Sequence, residues 1–309
     1  MELSIVIPVY NEGSHIAETL PVIASYADKT EAEYKLIVVD DGSADDTWQK
    51  VISLKERFPR LEAIRLSRNF GKEAAICAGL DAADSDAVII MDSDLQHPPE
   101  LIPAMVSLWR LQQVDIVNCV KQGGSGNGLA YRMSTAIFYW LLQTFSGYNL
   151  SGASDYKLLS SKALEAWRQF PESKTFFRGM IASLGFAGAT IEFTVPQRVE
   201  GNSKWSLTGL VGLAVKAIVA FSSIPLYLIA AIGALFLVGA FFVGMEALYN
   251  KFIGVSATGF TTVILLLLIV GGIIMVSLGI MGYYLSAVYQ EVKRRPRFLI
   301  SETTERKSG

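Results

Sequence analysis

Residues 88–101 read VIIMDSDLQHPPEL. Four apolar residues run straight into Asp92, one small residue and Asp94. A short apolar run that stops at turn residues reads as a strand buried on both faces, and such strands belong to parallel sheets covered by helices. The pattern repeats on both sides. Leu3–Val9, Tyr34–Val39 and Leu61–Leu66 are expected strands, separated by expected helices over Ser14–Tyr26 and Asp45–Arg57, with Ser43 or Asp45 near the cap of the latter. Lys72–Ala83 is the next helix, Ala87–Met91 the strand of the quoted stretch, and Pro99–Leu111 a helix with proline in its first turn. Asp115–Val120 closes the series. This alternation predicts an α/β domain with a mostly parallel sheet.

Ligands of such sheets sit beyond the carboxyl ends of the strands. The first end carries Pro8, Tyr10, Asn11 and Glu12; the second Asp40, Asp41, Gly42 and Ser43; the third Arg68, Asn69, Gly71 and Lys72; the fourth Asp92, Asp94 and Gln96. Two carboxylates as close as Asp92 and Asp94 repel unless a cation lies between them. Mg²⁺ and Mn²⁺ take carboxylate oxygens and complete their shells with substrate phosphates and water. A metal bridging these acids and a diphosphate would stabilise a departing nucleotide. An N-cap and turn would use the same residue types. The Asp40–Asp41 pair on the neighbouring exit favours the metal.

The chain has 309 residues, of which 51% are apolar, and its mean hydropathy is +0.37. The excess lies at one end. Residues 217–245 and 252–290 hold no charged side chain, and each run exceeds the roughly 20 residues needed to cross a bilayer. Two transmembrane helices are expected, over about 225–248 and 261–285, within a membrane domain of 224–290. The start, MELSIVIPVYNEG, has neither the basic nor the long apolar region of a signal peptide. Lys293, Arg294, Arg295 and Arg297 follow the second helix, so the positive-inside rule puts the tail, 291–309, in the cytoplasm. Two crossings then leave the catalytic domain and both termini cytoplasmic. The net charge of −2 argues against nucleic acid, and Cys77 and Cys119 suggest neither a disulfide framework nor a metal spacing.

SIVIPVYNE, VVDDGSADDT, LSRNFGKEAAICAGL and MDSDLQHPPE together resemble the inverting glycosyltransferases of the GT-A fold. More narrowly they resemble the polyisoprenyl-phosphate glycosyltransferases, relatives of dolichol-phosphate mannose synthase. The resemblance runs from residue 3 to about 205 and continues into the membrane part, where bacterial members that charge undecaprenyl phosphate with glucose carry two C-terminal helices. It implies a GT-A catalytic domain over 1–205 in which Pro8, Tyr10, Glu12 and Asp41 hold the base and ribose, with Lys72, Asp92 and Ser93 also on the nucleotide-sugar side. It makes Asp92, Asp94 and Gln96 the ligands of Mg²⁺ or Mn²⁺, Asp92 and Asp94 being a DXD motif, and gives Asp94 and Asp155 catalytic roles. Asp155 matches an acid assigned as base in the glucosyl-transferring members; paired with Lys157 or Arg178 it would be a buried structural acid instead.

A lipid phosphate acceptor needs cations, and Arg132, Arg198 and Lys204 are favoured by the resemblance, with Lys121 as a further candidate. KQGGSGNG, 121–128, reads as a Gly-rich lid. Two interfacial helices are expected, over about 129–146 and over 206–223. The resemblance implies inverting transfer of a hexose, glucose from UDP-glucose first, to a polyprenyl phosphate for cell-surface glycan modification. GDP-mannose, UDP-GlcNAc and UDP-galactose are the alternative donors, and a homotetramer fits the resemblance. A processive polysaccharide synthase would carry Gln-x-x-Arg-Trp, but here Arg198 follows Gln197 directly. A non-catalytic scaffold would have lost some of the rim acids, and a transporter would carry charges inside its apolar helices.

Overall fold

The computed structural model describes residues 1–121, 153–172, 176–194, 224–254 and 259–304. They fall into two compact units, one holding 1–121, 153–172, 176–194 and 295–304, the other 224–254 and 259–294.

The first unit is an α/β domain. Its elements run β1 (Glu2–Val9), α1 (Ile16–Ala27), β2 (Glu33–Asp40), α2 (Thr47–Lys55), β3 (Leu61–Leu66), α3 (Lys72–Ala82), β4 (Ala87–Ile90) and α4 (Ile102–Gln112). Then come β5 (Ile116–Lys121), β6 (Ala153–Ser160), α5 (Ser161–Arg168), α6 (Phe177–Ser183), β7 (Gly188–Phe193) and, after the second unit, β8 (Ile300–Thr303). The eight strands lie in the order β7-β5-β6-β4-β1-β2-β3-β8. β4, β1, β2 and β3 are parallel, as the apolar runs predict. β6 is antiparallel to both β4 and β5, and β8 is antiparallel to β3.

The core follows from strand period. Successive side chains of β1 point to opposite faces. Leu3, Ile5, Ile7 and Val9 join Ile16, Leu20 and Met105 of α1 and α4 on one face, while Val6 joins Ile76, Leu80 and Trp167 of α3 and α5 on the other. α3 comes close to the sheet because Gly79 has no side chain: a β-carbon there would stand 2.3 Å from Val6 Cγ1 and 3.3 Å from Val39 Cγ2. The strand order reverses between β1 and β4, which makes their C-terminal ends the natural crevice for a ligand.

Three strands beyond β5 were not expected. β6 hides Asp155 and Lys157 among its buried residues, so its sequence does not read as an apolar run. β8 has four residues, all exposed, and pairs with a strand far away in sequence. The C-terminal stretch is thus more than a basic tail. Arg297 Nε donates to Glu172 O at 2.8 Å, and its guanidinium lies 5.6 Å from the Trp167 ring centre. The expected helix over Pro99–Leu111 begins instead as a 3₁₀ turn, Pro99–Leu101, and becomes α-helical from Ile102.

The second unit holds α7 (Ile224–Phe252) and α8 (Phe260–Val292). Within them Ile229–Asn250 and Ile269–Val292 have mean hydropathies of 2.1 and 1.8, and both are long and apolar enough to cross a bilayer. Large side chains such as Leu237, Phe241, Met275 and Leu285 are exposed, which associates this unit with a membrane. The expected lid and both interfacial helices lie outside the described residues.

Gly79→Val forces two β-branched methyls into Val6, a stiff and fully buried neighbour. We expect an overpacking cost of about 1–3 kcal/mol and a lower melting temperature for the purified protein. A melt at or above wild type would mean that α3 can lift from the sheet without loss.

Candidate active site

The four parallel strands deliver their C-terminal ends to one cleft of about 280 Å³. Pro8, Tyr10 and Glu12 line it from β1, Asp41 from β2, Lys72 from the start of α3, and Asp92, Ser93 and Asp94 from β4. Every residue that the resemblance assigns to the nucleotide sugar therefore meets in one place. Asn69, Gly71 and Ala75 complete the wall on the α3 side.

Hydrogen bonds tie the exit loops to each other. Asn11, in the left-handed region at φ 54°, donates its N–H to Ser43 Oγ at 2.9 Å and accepts the Ala44 N–H on Oδ1 at 2.9 Å. The Glu12 N–H reaches Thr47 Oγ1 at 2.9 Å. These bonds join the β1 exit to the β2 exit. Asp41 joins β2 to β3, its two oxygens accepting the Phe70 N–H at 2.7 Å and the Gly71 N–H at 2.8 Å. Burial pushes the Asp41 carboxyl up, against the pull of those two donors. Gly42 makes the turn possible, since φ is +69° and a β-carbon would lie 2.5 Å from the Arg68 carbonyl carbon.

At the β4 exit the chain bends sharply. Leu95 has φ 55°, and the Gln96 N–H donates to Asp94 Oδ1 at 3.1 Å. Side chains outside glycine rarely adopt such angles, and strained turns of this kind cluster at functional sites. His97 pins the bend. Its Nδ1 accepts the Asp92 N–H at 2.9 Å, and its ring stacks on Tyr156 with centres 4.9 Å apart. Burial pushes the imidazole down from its ordinary range. Sequence reasoning passed over His97; its place directly after Gln96 was the available signal.

Charge is compensated unevenly. Lys72 Nζ stands 2.7 Å from Asp92 Oδ1 and 2.8 Å from Asp155 Oδ2. Arg178 grips Asp155 from the other side, Nε to Oδ1 at 2.6 Å and Nη2 to Oδ2 at 3.1 Å. Burial alone would push the Asp155 carboxyl up; the hydrogen bonds from Arg178 and the charge of Lys72 outweigh it and hold Asp155 well below the carboxylate range. Burial would lower Lys72, but Asp92 and Asp155 raise it, so the ammonium stays charged. Of the two bases offered for Asp155, Arg178 is its partner. Lys157 donates instead to Asn118 Oδ1 at 2.5 Å, and burial pushes it down to about 8.

Asp94 is exposed beside Glu12, whose carboxyl is pushed up by burial and then by the charge of Asp94. The surplus of negative charge fits a divalent cation. So does Asp92 Oδ1, a buried oxygen that lacks a well-formed hydrogen bond although Lys72 approaches it. Among the described residues no three His, Cys, Asp or Glu side chains converge on one point. A cation here would need the Gln96 amide, substrate oxygens or water to complete its shell. Of the expected acceptor cations, Lys121 sits exposed at the end of β5, while Arg132, Arg198 and Lys204 lie outside the described residues.

The Asp155 pairing predicts acid sensitivity. Its carboxyl titrates lower in the folded chain than in the unfolded one, so its contribution to stability is present above about pH 4 and fades as pH falls further. Asp155→Asn should melt below wild type at neutral pH. The gap should narrow as pH falls from about 4 toward 2 in a melting series. A gap independent of pH would mean that the paired charge contributes nothing.

Known proteins resemble this chain over nearly its whole length. The model of glycosyl transferase family 2 matches residues 4–162. The chain is 34% identical over 307 residues to an uncharacterized glycosyltransferase of Synechocystis sp., covering 98% of this chain and 95% of that protein. It is 30% identical to a prophage bactoprenol glucosyl transferase homolog of Escherichia coli, over 97% of this chain and 98% of that one. It is also 30% identical to the bactoprenol glucosyl transferase of Shigella phage SfII, over 98% of each chain. With that family's model spanning the strands that build the cleft, the chain belongs to glycosyl transferase family 2.

Proposed function

We propose that this protein transfers a hexose, glucose from UDP-glucose in the first instance, onto the phosphate of a polyprenyl carrier such as undecaprenyl phosphate, at the cytoplasmic face of a membrane. The observation that carries the reading is the acid-rich cleft at the β1/β4 switch point in a chain that also holds two apolar helices of spanning length. Relatives bearing the name bactoprenol glucosyl transferase align with nearly all of the chain and support glucose as the sugar and a bactoprenol-type acceptor.

Pro8, Tyr10, Glu12 and Asp41 are assigned to the base and ribose, and Lys72, Asp92 and Ser93 to the diphosphate side. Asp92, Asp94 and Gln96 would hold Mg²⁺ or Mn²⁺, which when bound offsets charge on the departing diphosphate as a Lewis acid. The reaction is one displacement. An oxygen of the lipid phosphate attacks the anomeric carbon, the bond from that carbon to the diphosphate oxygen breaks, and the nucleotide leaves with the electron pair. An α-linked donor thus gives a β-linked lipid phosphate sugar. A phosphate monoester has its second pKa near ~6, so the nucleophile is already largely ionised at neutral pH.

That chemistry changes the role expected of Asp155. Both of its oxygens are engaged by Arg178 and Lys72, and its carboxyl is a poor proton acceptor. We assign it to holding those two cations toward the phosphates of donor and acceptor. Lys121, Arg132, Arg198 and Lys204 are the further acceptor-phosphate candidates. Residues 1–205 are the catalytic part, 206–223 a juxtamembrane helix, 224–290 a two-helix membrane anchor, and the assembly a homotetramer. Both termini are cytoplasmic, a placement supported by the basic residues that follow α8 and by the return of the chain to the catalytic sheet as β8.

A donor panel tests this. Purified protein, undecaprenyl phosphate and divalent metal are mixed with UDP-glucose, UDP-galactose, UDP-GlcNAc or GDP-mannose, and release of UDP or GDP is followed with the lipid product. UDP-glucose should turn over fastest. Asp94→Ala, or chelation of the metal, should lower the rate by about 100-fold or more, the scale of losing several kcal/mol of charge stabilisation. Equal turnover by the variant without added metal would remove the metal from the reaction.

A further inference from the structure

The last strand, β8, does more than cover a sheet edge. Glu302 lies opposite Arg65 of β3 in the antiparallel register. Its Oε1 is 3.0 Å from Arg65 Nη1, and its Oε2 accepts the Trp48 indole N–H at 3.1 Å. The guanidinium is therefore fixed on one side by Glu302 and rests against Trp48, 5.7 Å from the ring centre. The other side of Arg65 faces inward. Nε is 3.4 Å from Asp40 Oδ2, and Nη2 donates to the Ser43 carbonyl at 3.3 Å.

Asp40 is fully buried, and its Oδ2, which has no well-formed hydrogen bond, takes its counter-charge from the Arg65 guanidinium. Its other oxygen accepts the Ser43 N–H at 2.9 Å and the Ser43 hydroxyl. Ser43 Oγ in turn holds the Asn11 N–H at the β1 exit. A buried carboxylate without its counter-charge is costly, and the turn that carries it loosens when the counter-charge moves. The line Glu302–Arg65–Asp40–Ser43–Asn11 thus runs from the C-terminal strand to the two loops that line the cleft.

We infer that Glu302 is a positioning residue, and that β8 sets the shape of the Asp40–Ser43 turn through Arg65. The inference rests on the reading of that turn as nucleotide-binding. Glu302 is separable from the docking of its own strand. β8 is held by backbone pairing, by the Ala63 N–H on Thr304 Oγ1 at 2.8 Å and by the Ser67 N–H on Leu299 O at 2.8 Å, none of which uses the Glu302 side chain.

The test uses full-length protein in detergent, with Mn²⁺. Binding of UDP and of GDP is measured by calorimetry for wild type, Glu302→Ala, Glu302→Gln and Thr304→Val, alongside melting temperatures. The wild-type arm reports which nucleotide the cleft takes, and so judges the donor reading by itself; the variants are compared on that nucleotide. Glu302→Ala should weaken binding about 5-fold or more, the lower end of ordinary coupling between sites. It should raise donor KM with kcat nearly unchanged, and Glu302→Gln should recover part of the loss by restoring an acceptor for Trp48 and Arg65. Thr304→Val should lower the melting temperature and leave nucleotide affinity as it was. Wild-type affinity in Glu302→Ala, or an equal loss in Thr304→Val, would overturn the inference.

Discussion

Carboxylates crowded at the ends of parallel strands repel one another, and the architecture of the catalytic unit is largely a set of answers to that repulsion. Each acid is met by a different device. Asp41 is met by two backbone N–H groups from the neighbouring loop. Asp40 is met by Ser43 and by Arg65 from the next strand. Asp92 and Asp155 share the Lys72 ammonium, and Arg178 completes the second of them. Asp94 and Glu12 are left facing each other across the opening, where a cation and a diphosphate would settle the balance.

These devices also set the geometry. The hydrogen bonds from Asn11 to Ser43 and from Phe70 and Gly71 to Asp41, and the ion pair of Lys72 with Asp92, run between loops, while the bond from Asp92 to His97 braces the β4 exit from within. Each loop is therefore held by its neighbour, and the cleft is shaped before any ligand arrives. Preorganised groups of this kind need little rearrangement when charge develops during a reaction. Ion pairs at an exposed surface contribute little to stability, whereas pairs with one buried partner, as at Asp155 and Asp40, are costly to break.

Much of this was legible in the residues. β1 and β4 are buried on both faces and appear as nearly continuous apolar runs, β2 and β3 are apolar between their ends apart from Lys35, Glu62 and Arg65, and all four boundaries fell within one residue of expectation. The residues following those strands could then be placed at one rim, and all four ends meet there. The two apolar helices announced themselves by length, and they extend a few residues past the expected 225–248 and 261–285, to Ile224–Phe252 and Phe260–Val292. What stayed hidden depends on partners distant in sequence. β6 holds Asp155 and Lys157 in the core because Arg178, Lys72 and Asn118 receive them. Nothing near Ile300–Thr303 marks it as a strand, since its partner is β3, and His97 acts through the backbone of Asp92. Local pattern reports period and burial; it does not report which distant group will neutralise a charge.

The position of β8 in the chain has a consequence for biosynthesis. A ribosome delivers β1 to β3 early, but the strand that covers the outer side of β3 emerges only after both long apolar helices have been made. Until then β3 offers an open row of N–H and C=O groups, the kind of edge that recruits other chains. The sheet can be completed only once residues beyond α8 are free to reach it. Addition of the sheet's last strand is thereby timed to follow synthesis of the two long apolar helices.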